Sequence, residues 1–265
     1  MNLLPCIKPD SALFLDFDGT LAELAPSPGA VRLAPELIPT LWALAERLRG
    51  AVAIVTGRPI DEVDGFLHPL KLPTAGVHGA QRRSHQNCLT APTPPPLERG
   101  GAVAEAGALR HSGLLVERKP MAVALHYRLA PELEALCEDG LAAALAASSG
   151  LEMMRGKMVF EVKPAGVSKG RAIEAFMRES PFAGRVPLFV GDDVTDEAGF
   201  EAVLRLGGQG IKVGEGESLA QHRIADPATL RVWLQAAVIR LPQAEPLPPP
   251  LLVPAVPAVP AEGAA

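Results

Sequence analysis

Residues 12–21 read Ala12-Leu13-Phe14-Leu15-Asp16-Phe17-Asp18-Gly19-Thr20-Leu21, and this stretch decides the fold class. Its apolar start, without a polar break, predicts a strand buried on both faces, as in a parallel sheet covered by helices. Two carboxylates two residues apart follow, then a glycine that lets the backbone turn tightly. In open α/β sheets ligands bind outside the carboxyl ends of the strands, so Asp16 and Asp18 are expected at the mouth of a site. Two such carboxylates can share a divalent cation. An acidic loop cap is the other reading of the segment taken alone.

Working outward, the pattern predicts a strand over 12–17, a helix over 35–49, a strand over 51–56, a helix over 59–67 and a strand over 74–79. This βαβαβ order implies a mainly parallel, doubly wound sheet. Residues 91–97, APTPPPL, can continue neither a helix nor a central strand, because proline lacks the amide donor. They read as a linker.

Beyond it the order changes to helix (98–110), strands (114–119 and 122–128), helix (131–147) and strands (151–155 and 158–163), which suggests an antiparallel α+β unit. The doubly wound pattern resumes with helix 168–179, strand 186–193, helix 195–206, strand 210–214 and helix 227–241. An insertion over 93–164 is thus expected to split one Rossmann-like domain, made of 1–92 and 165–241. The prolines, alanines and valines of 242–265 read as a disordered tail.

Composition narrows the partners. The chain has 265 residues, 48% of them hydrophobic and 21% charged, which suits a globular protein of one large or two modest domains. A net charge of −5 without a Lys/Arg block argues against a nucleic-acid groove or an anionic membrane surface, and favours a small-molecule partner. Cys6, Cys88 and Cys137 are scattered and odd in number, which fits neither a disulfide framework nor a structural zinc site, and suits a reducing cytoplasm. Pro5 and Pro9 interrupt the start before a secretion signal can form, and no apolar run reaches membrane-spanning length. The sequence does not disclose oligomeric state, and a monomer is compatible with it. Trp42, Trp233, Met153, Met154 and Met158 read as core residues.

Further motifs stand at the later element ends. Thr56-Gly57-Arg58 closes the second strand, Lys169 opens a helix after the insertion, and Gly191-Asp192-Asp193-Val194-Thr195-Asp196-Glu197 closes a later strand. Together with Asp16-Phe17-Asp18-Gly19-Thr20 this set resembles the four motifs of the haloacid dehalogenase superfamily. The resemblance implies Asp16 as nucleophile, giving an aspartyl-phosphate that water then hydrolyses. Asp18 would protonate the leaving alcohol and later deprotonate the water. Thr56 and Lys169 would hold the phosphoryl group. Mg²⁺ would be held by Asp16, the main-chain carbonyl of Asp18 and Asp192, although the sequence does not decide which of Asp192, Asp193 and Asp196 touches it.

The inserted unit resembles the larger class of cap domains in that superfamily. Gly76-Val77-His78-Gly79, Glu117-Arg118-Lys119, His126-Tyr127-Arg128 and Gly156-Lys157 with Glu161 and Lys163-Pro164 resemble segments of the trehalose-6-phosphate phosphatase family. That resemblance implies hydrolysis of trehalose 6-phosphate to trehalose and phosphate, the final step of trehalose synthesis. Glu117, Lys119, Arg128, Lys157 and Glu161 are the sugar-gripping candidates, with Gly57, Arg58, His78 and Asp193 nearer the phosphate. Glu117 and Lys119 share a strand face by two-residue alternation, as Lys157 and Glu161 do at spacing four. Surface ion pairs are the alternative for these charges. A phosphatase for sucrose phosphate or mannosyl-phosphoglycerate, and a sugar phosphomutase, stay open as other functions.

Overall fold

The computed structural model describes residues 4–25, 28–90, 98–119, 122–146, 150–156 and 158–243. In chain order the first elements are β1 (Ser11–Leu15), α1 (Leu37–Arg47), β2 (Val52–Val55), α2 (Ile60–Leu67), β3 (Thr74–Gly76), β4 (Gln81–Arg83) and β5 (Leu89–Thr90). Next come α3 (Glu98–Arg110), β6 (Leu115–Lys119), β7 (Ala122–His126), α4 (Glu134–Ala146), β8 (Leu151–Gly156) and β9 (Val159–Pro164). The chain closes with α5 (Lys169–Phe176), β10 (Val186–Gly191), α6 (Glu197–Arg205), β11 (Gln209–Val213), β12 (His222–Ile224) and α7 (Pro227–Arg240).

Among the described residues the strands form two sheets. The larger runs β12-β11-β10-β1-β2-β3-β4-β5, parallel from β12 to β3 and antiparallel beyond. Every residue of β1 and β2 is buried, which is why both read as continuous apolar runs. The connecting helices show the complementary pattern: α1 buries Leu37, Leu41 and Leu44 on one stripe and ends its exposed face with Trp42. Helix starts are set by local chemistry. Ser168 accepts a hydrogen bond from the Arg171 amide ahead of α5, and Asp226 accepts one from the Thr229 amide at 2.7 Å ahead of α7, where Pro227 takes the first turn.

The strand order reverses between β1 and β10, so a crevice opens at their carboxyl ends. The expected acidic motifs sit there, one after each strand.

The second sheet is antiparallel, in the order β6-β7-β9-β8, with α3 and α4 packed on one face. Alternation sorts its side chains. Val123, Leu125, Phe160 and Val162 join Cys137 and Leu141 of α4 in a separate apolar cluster. Glu117, Lys119, His126, Glu161 and Lys163 take the other positions along their strands, away from that cluster. Ala122 packs with Val77 and Ala80, which joins this sheet to the loop after β3.

Several expectations change. The strand expected over 74–79 ends at Gly76, and Val77–Gly79 form a 3₁₀ turn with Val77 and His78 at positive φ. The short strands β4, β5 and β12 were not expected. Met153 packs against the second apolar cluster, but Met154 lines a cavity with Lys169, and Met158 is 41% exposed in a left-handed turn. Trp42 is exposed and donates to Glu46, while Trp233 packs partly buried against the main core. The expected linker at 91–97, Lys157 and residues 244–265 of the expected tail lie outside the described residues. No helix among the described residues is long and apolar enough to cross a membrane.

Candidate active site

At the end of β1 the chain turns through Gly19, whose φ of 76° suits glycine. A Cβ there would stand 2.2 Å from an oxygen of the Asp192 carboxylate, so the bare backbone leaves room for that group. Asp16 and Asp192 therefore face one another from neighbouring strands. The Thr20 hydroxyl lies 3.3 Å from an oxygen of each.

Lys169, the first residue of α5, reaches into this cluster and donates to Asp16 at 2.7 Å and to Asp196 at 2.6 Å. The other Asp196 oxygen accepts the main-chain amides of Asp192 and Asp193, both at 2.9 Å. Asp193 returns the favour by capping the same turn with its side chain. Asp196 is fully buried and committed to these partners, so it acts as the brace of the loop. Lys212 of β11 is buried too and donates to the Asp192 carbonyl.

The charges do not balance within this cluster of described residues. Oxygens of Asp16, Asp192 and Asp196 lie within 4.8 Å of one another, with one ammonium, that of Lys169, bonded to two of the three carboxylates. Burial pushes the Asp16 carboxyl well above its ordinary value; Lys169 opposes this, and the charges of Asp196 and Asp192 add to it. Burial and then Asp196 push Asp192 up to about 6. Lys169 goes the other way: burial would lower it, but Asp16 and Asp196 outweigh that and raise it. A cluster of hard oxygen donors with surplus negative charge fits a divalent cation, and a bound one would relieve the repulsion.

Asp18 turns elsewhere. Its carboxylate accepts two bonds from the Arg58 guanidinium, at 2.6 and 2.8 Å, and Arg58 also donates to Glu62 at 3.0 Å. Arg58 lies 4.9 Å from the centre of the Phe66 ring. Thus Arg58 braces the loop of Asp18 in this structure. Thr56 is buried next to it, its hydroxyl accepting the Arg58 amide at 3.2 Å.

On the second sheet Glu161 is buried between Lys119, at 2.7 Å, and His78 of the larger sheet's loop, at 3.4 Å. Burial would raise Glu161, but the His78 and Lys119 contacts reverse this and take it down to about 2. Burial also pushes His78 below its ordinary value, against the opposing pull of Glu161. Glu117 bonds His126 at 3.0 Å and is lowered chiefly by that bond. Arg128 is exposed in the turn after β7.

The structure thus gathers Asp16, Lys169 and Asp192 at one point, with Thr56, Gly57 and Arg58 on the adjacent strand end. Sequence reasoning gave no role to Thr20, Lys212 or His126. The signal for Lys212 was available: a lysine between apolar residues in a strand, Gly210-Ile211-Lys212-Val213.

Comparisons with known proteins identify the family. The profile of the trehalose-phosphatase family matches residues 14–232. The trehalose-6-phosphate phosphatase of Escherichia coli K12 is 39% identical over 241 residues, covering 90% of this chain and 91% of that one. A probable trehalose-phosphate phosphatase of Sinorhizobium fredii is 46% identical over 212 residues, or 77% of each chain. In fold, the C-terminal domain of Candida albicans trehalose-6-phosphate phosphatase superposes with a TM-score of 0.78 at 19% identity, over 87% of this chain and 92% of that one. With its acidic motifs at the reversal point of the sheet and matches that span most of its length, the chain belongs to the trehalose-phosphatase family.

Proposed function

We propose that this chain hydrolyses trehalose 6-phosphate to trehalose and inorganic phosphate, the last step in making trehalose. The carrying observation is the buried Asp16–Lys169–Asp196 chain beside Asp192, at the reversal point of a parallel sheet in a trehalose-phosphatase family member.

In the first step a carboxylate oxygen of Asp16 attacks phosphorus, the ester P–O bond breaks, and Asp18 delivers a proton to the departing sugar oxygen. In the second, Asp18 takes a proton from water as its oxygen attacks the same phosphorus, and the Asp16 carboxylate and free phosphate separate. Lys169 holds Asp16 in place and faces the charge on the phosphoryl group. Thr56 and the Gly57 backbone support the phosphoryl oxygens. Arg58 holds the Asp18 carboxylate, and Asp193, which caps the turn of the acidic loop, would contact the substrate.

Asp16, the Asp18 carbonyl and Asp192 would hold Mg²⁺, with Asp196 bracing their loop. When bound, that ion supplies the positive charge that lets a carboxylate approach a phosphate dianion.

The inserted unit, 93–164, serves as the cap in this reading. Glu117, Lys119, Arg128, Lys157 and Glu161 read the sugar hydroxyls, with His78 at the junction of the two sheets.

Phosphate release from a panel of sugar phosphates tests the reading. Trehalose 6-phosphate is expected to be turned over fastest, and EDTA to cut its rate by ~100-fold or more, about 2.7 kcal/mol of barrier. Fast release from sucrose phosphate, mannosyl-phosphoglycerate or glucose 6-phosphate, with none from trehalose 6-phosphate, overturns it. A requirement for a sugar bisphosphate would identify a mutase instead.

Glu117→Ala checks the cap. A charged hydrogen bond to the sugar is worth ~1.5–3 kcal/mol, so kcat/KM for trehalose 6-phosphate should fall by ~10–100-fold and that for p-nitrophenyl phosphate by less than ~3-fold. Equal losses on both would make Glu117 a structural residue of the sheet.

A further inference from the structure

The loop after β3 holds two adjacent non-glycine residues in the left-handed region, Val77 at φ 48° and His78 at φ 55°. For a β-branched valine that conformation is an outlier, and it persists only where the surroundings enforce it. Two hydrogen bonds do so here. The Val77 amide donates to the Arg58 carbonyl at 2.9 Å and the His78 amide to the Thr56 carbonyl at 2.8 Å. They grip the backbone on either side of Gly57, in the turn that supports the phosphoryl group.

The imidazole fills the space in which Gly57 has no side chain: a Cβ on Gly57 would lie 2.7 Å from the His78 ring. On its far side the ring meets Glu161 of the second sheet, with 3.4 Å between Nε2 and Oε1. Both residues are more than nine-tenths buried, yet His78 Nδ1 and Glu161 Oε1 make no hydrogen bond. Buried polar atoms left unpaired cost stability. The ring also borders a cavity of about 180 Å³ shared with Met154, Lys163, Ser168, Lys169 and Thr195.

We propose that His78 is a positioning residue that couples the sugar-facing sheet to the phosphoryl end of the site. Wedged between Gly57 and Glu161, its ring transmits the seating of Glu161 on the sugar to the Thr56–Gly57–Arg58 turn, so sugar contact raises the rate of phosphoryl transfer as well as affinity. This deepens the phosphatase reading and rests on it.

A double-mutant cycle tests the coupling, using wild type, His78→Asn, Glu161→Gln and the double variant with trehalose 6-phosphate and with p-nitrophenyl phosphate. Asparagine tolerates positive φ, so the turn is kept while the ring is removed. Because a displacement of about 1 Å can cost ~100-fold, kcat for the disaccharide should fall by ~10–100-fold in His78→Asn, against less than ~3-fold for the aryl phosphate. The double variant should be within ~3-fold of the worse single one, since both remove the same coupling.

Three outcomes overturn the proposal: equal losses on both substrates, a change in KM alone, or single losses that multiply in the double variant. Should His78→Asn not fold, Glu161→Gln alone judges the coupling: its kcat for the disaccharide must fall by ~10-fold or more, and a change confined to KM there overturns the proposal. If wild type instead prefers another sugar phosphate, the trehalose reading fails while the cycle, run on that ester, still judges the coupling.

Discussion

Asp16→Asn is expected to abolish phosphate release, by ~10⁴-fold or more or at least about 5.4 kcal/mol of barrier, while the protein stays folded. The amide has nearly the carboxylate's shape but no anionic lone pair to attack phosphorus. Its effect on stability has the opposite tendency. In the native site burial and the neighbouring Asp196 and Asp192 charges already disfavour ionised Asp16. A neutral group there removes repulsion and forfeits one bond to Lys169, which keeps its 2.6 Å partner Asp196. Thermal stability without metal should therefore change by less than ~1 kcal/mol in the unfavourable direction, or rise. The pair of measurements is a phosphate-release assay and a melting curve. Activity within tenfold of wild type would remove Asp16 from the reaction; a large fall in melting temperature would mean that its charge is structural.

Lys169→Met should do both kinds of damage. It removes the ammonium that lies 2.7 Å from Asp16 and 2.6 Å from Asp196, and leaves those carboxylates buried without it. Breaking a buried ion pair from one side typically costs ~3–5 kcal/mol, since the remaining charge stays desolvated. For a chain of this size that corresponds to a fall of roughly 6–20 °C in melting temperature. Activity should fall by ~10³-fold or more, because Asp16 loses the contact that orients it and the phosphoryl group its fixed counter-charge. A variant that melts with wild type but lacks activity would make Lys169 catalytic without being structural. One that melts low and keeps its rate would make it structural only.

The two variants differ because the cluster is overcharged with carboxylates and short of cations. The cation side is therefore the sensitive one, and Asp16 is the acid the fold can best lose. The same imbalance accounts for the fit to a divalent ion.

Much of the frame was legible in the sequence. β1 was visible as an apolar run ending in carboxylates, and Lys169 as the first residue of a helix after the insertion, because burial on both faces and helix capping leave local marks. The helix-strand-strand order over 98–163 was legible in the changing texture of the chain, and the common face of Glu117 and Lys119 in period-two alternation. The hairpin β4–β5 was missed because its strands are very short and polar. Arg83 is buried there because Asp64, nineteen residues earlier, accepts two bonds from it and the Leu72 carbonyl a third. Met154 was assigned to a core because a methionine in a strand carries no sign of which face it will take.

What the sequence determined alone, then, was the set of reactive groups, their order, and their placement at strand and helix ends, all of which depend on near neighbours in the chain. What only the tertiary structure decided was which opposite charge each group meets. Asp18 finds Arg58 forty residues away, Asp196 finds Lys169 and the amides of its own loop, and Glu161 finds His78 across two sheets. Coulomb attraction and burial depend on distance through space, and a chain that brings several carboxylates to one strand end does not state in its order which of them will be paired, which will brace a loop and which will be left for a cation.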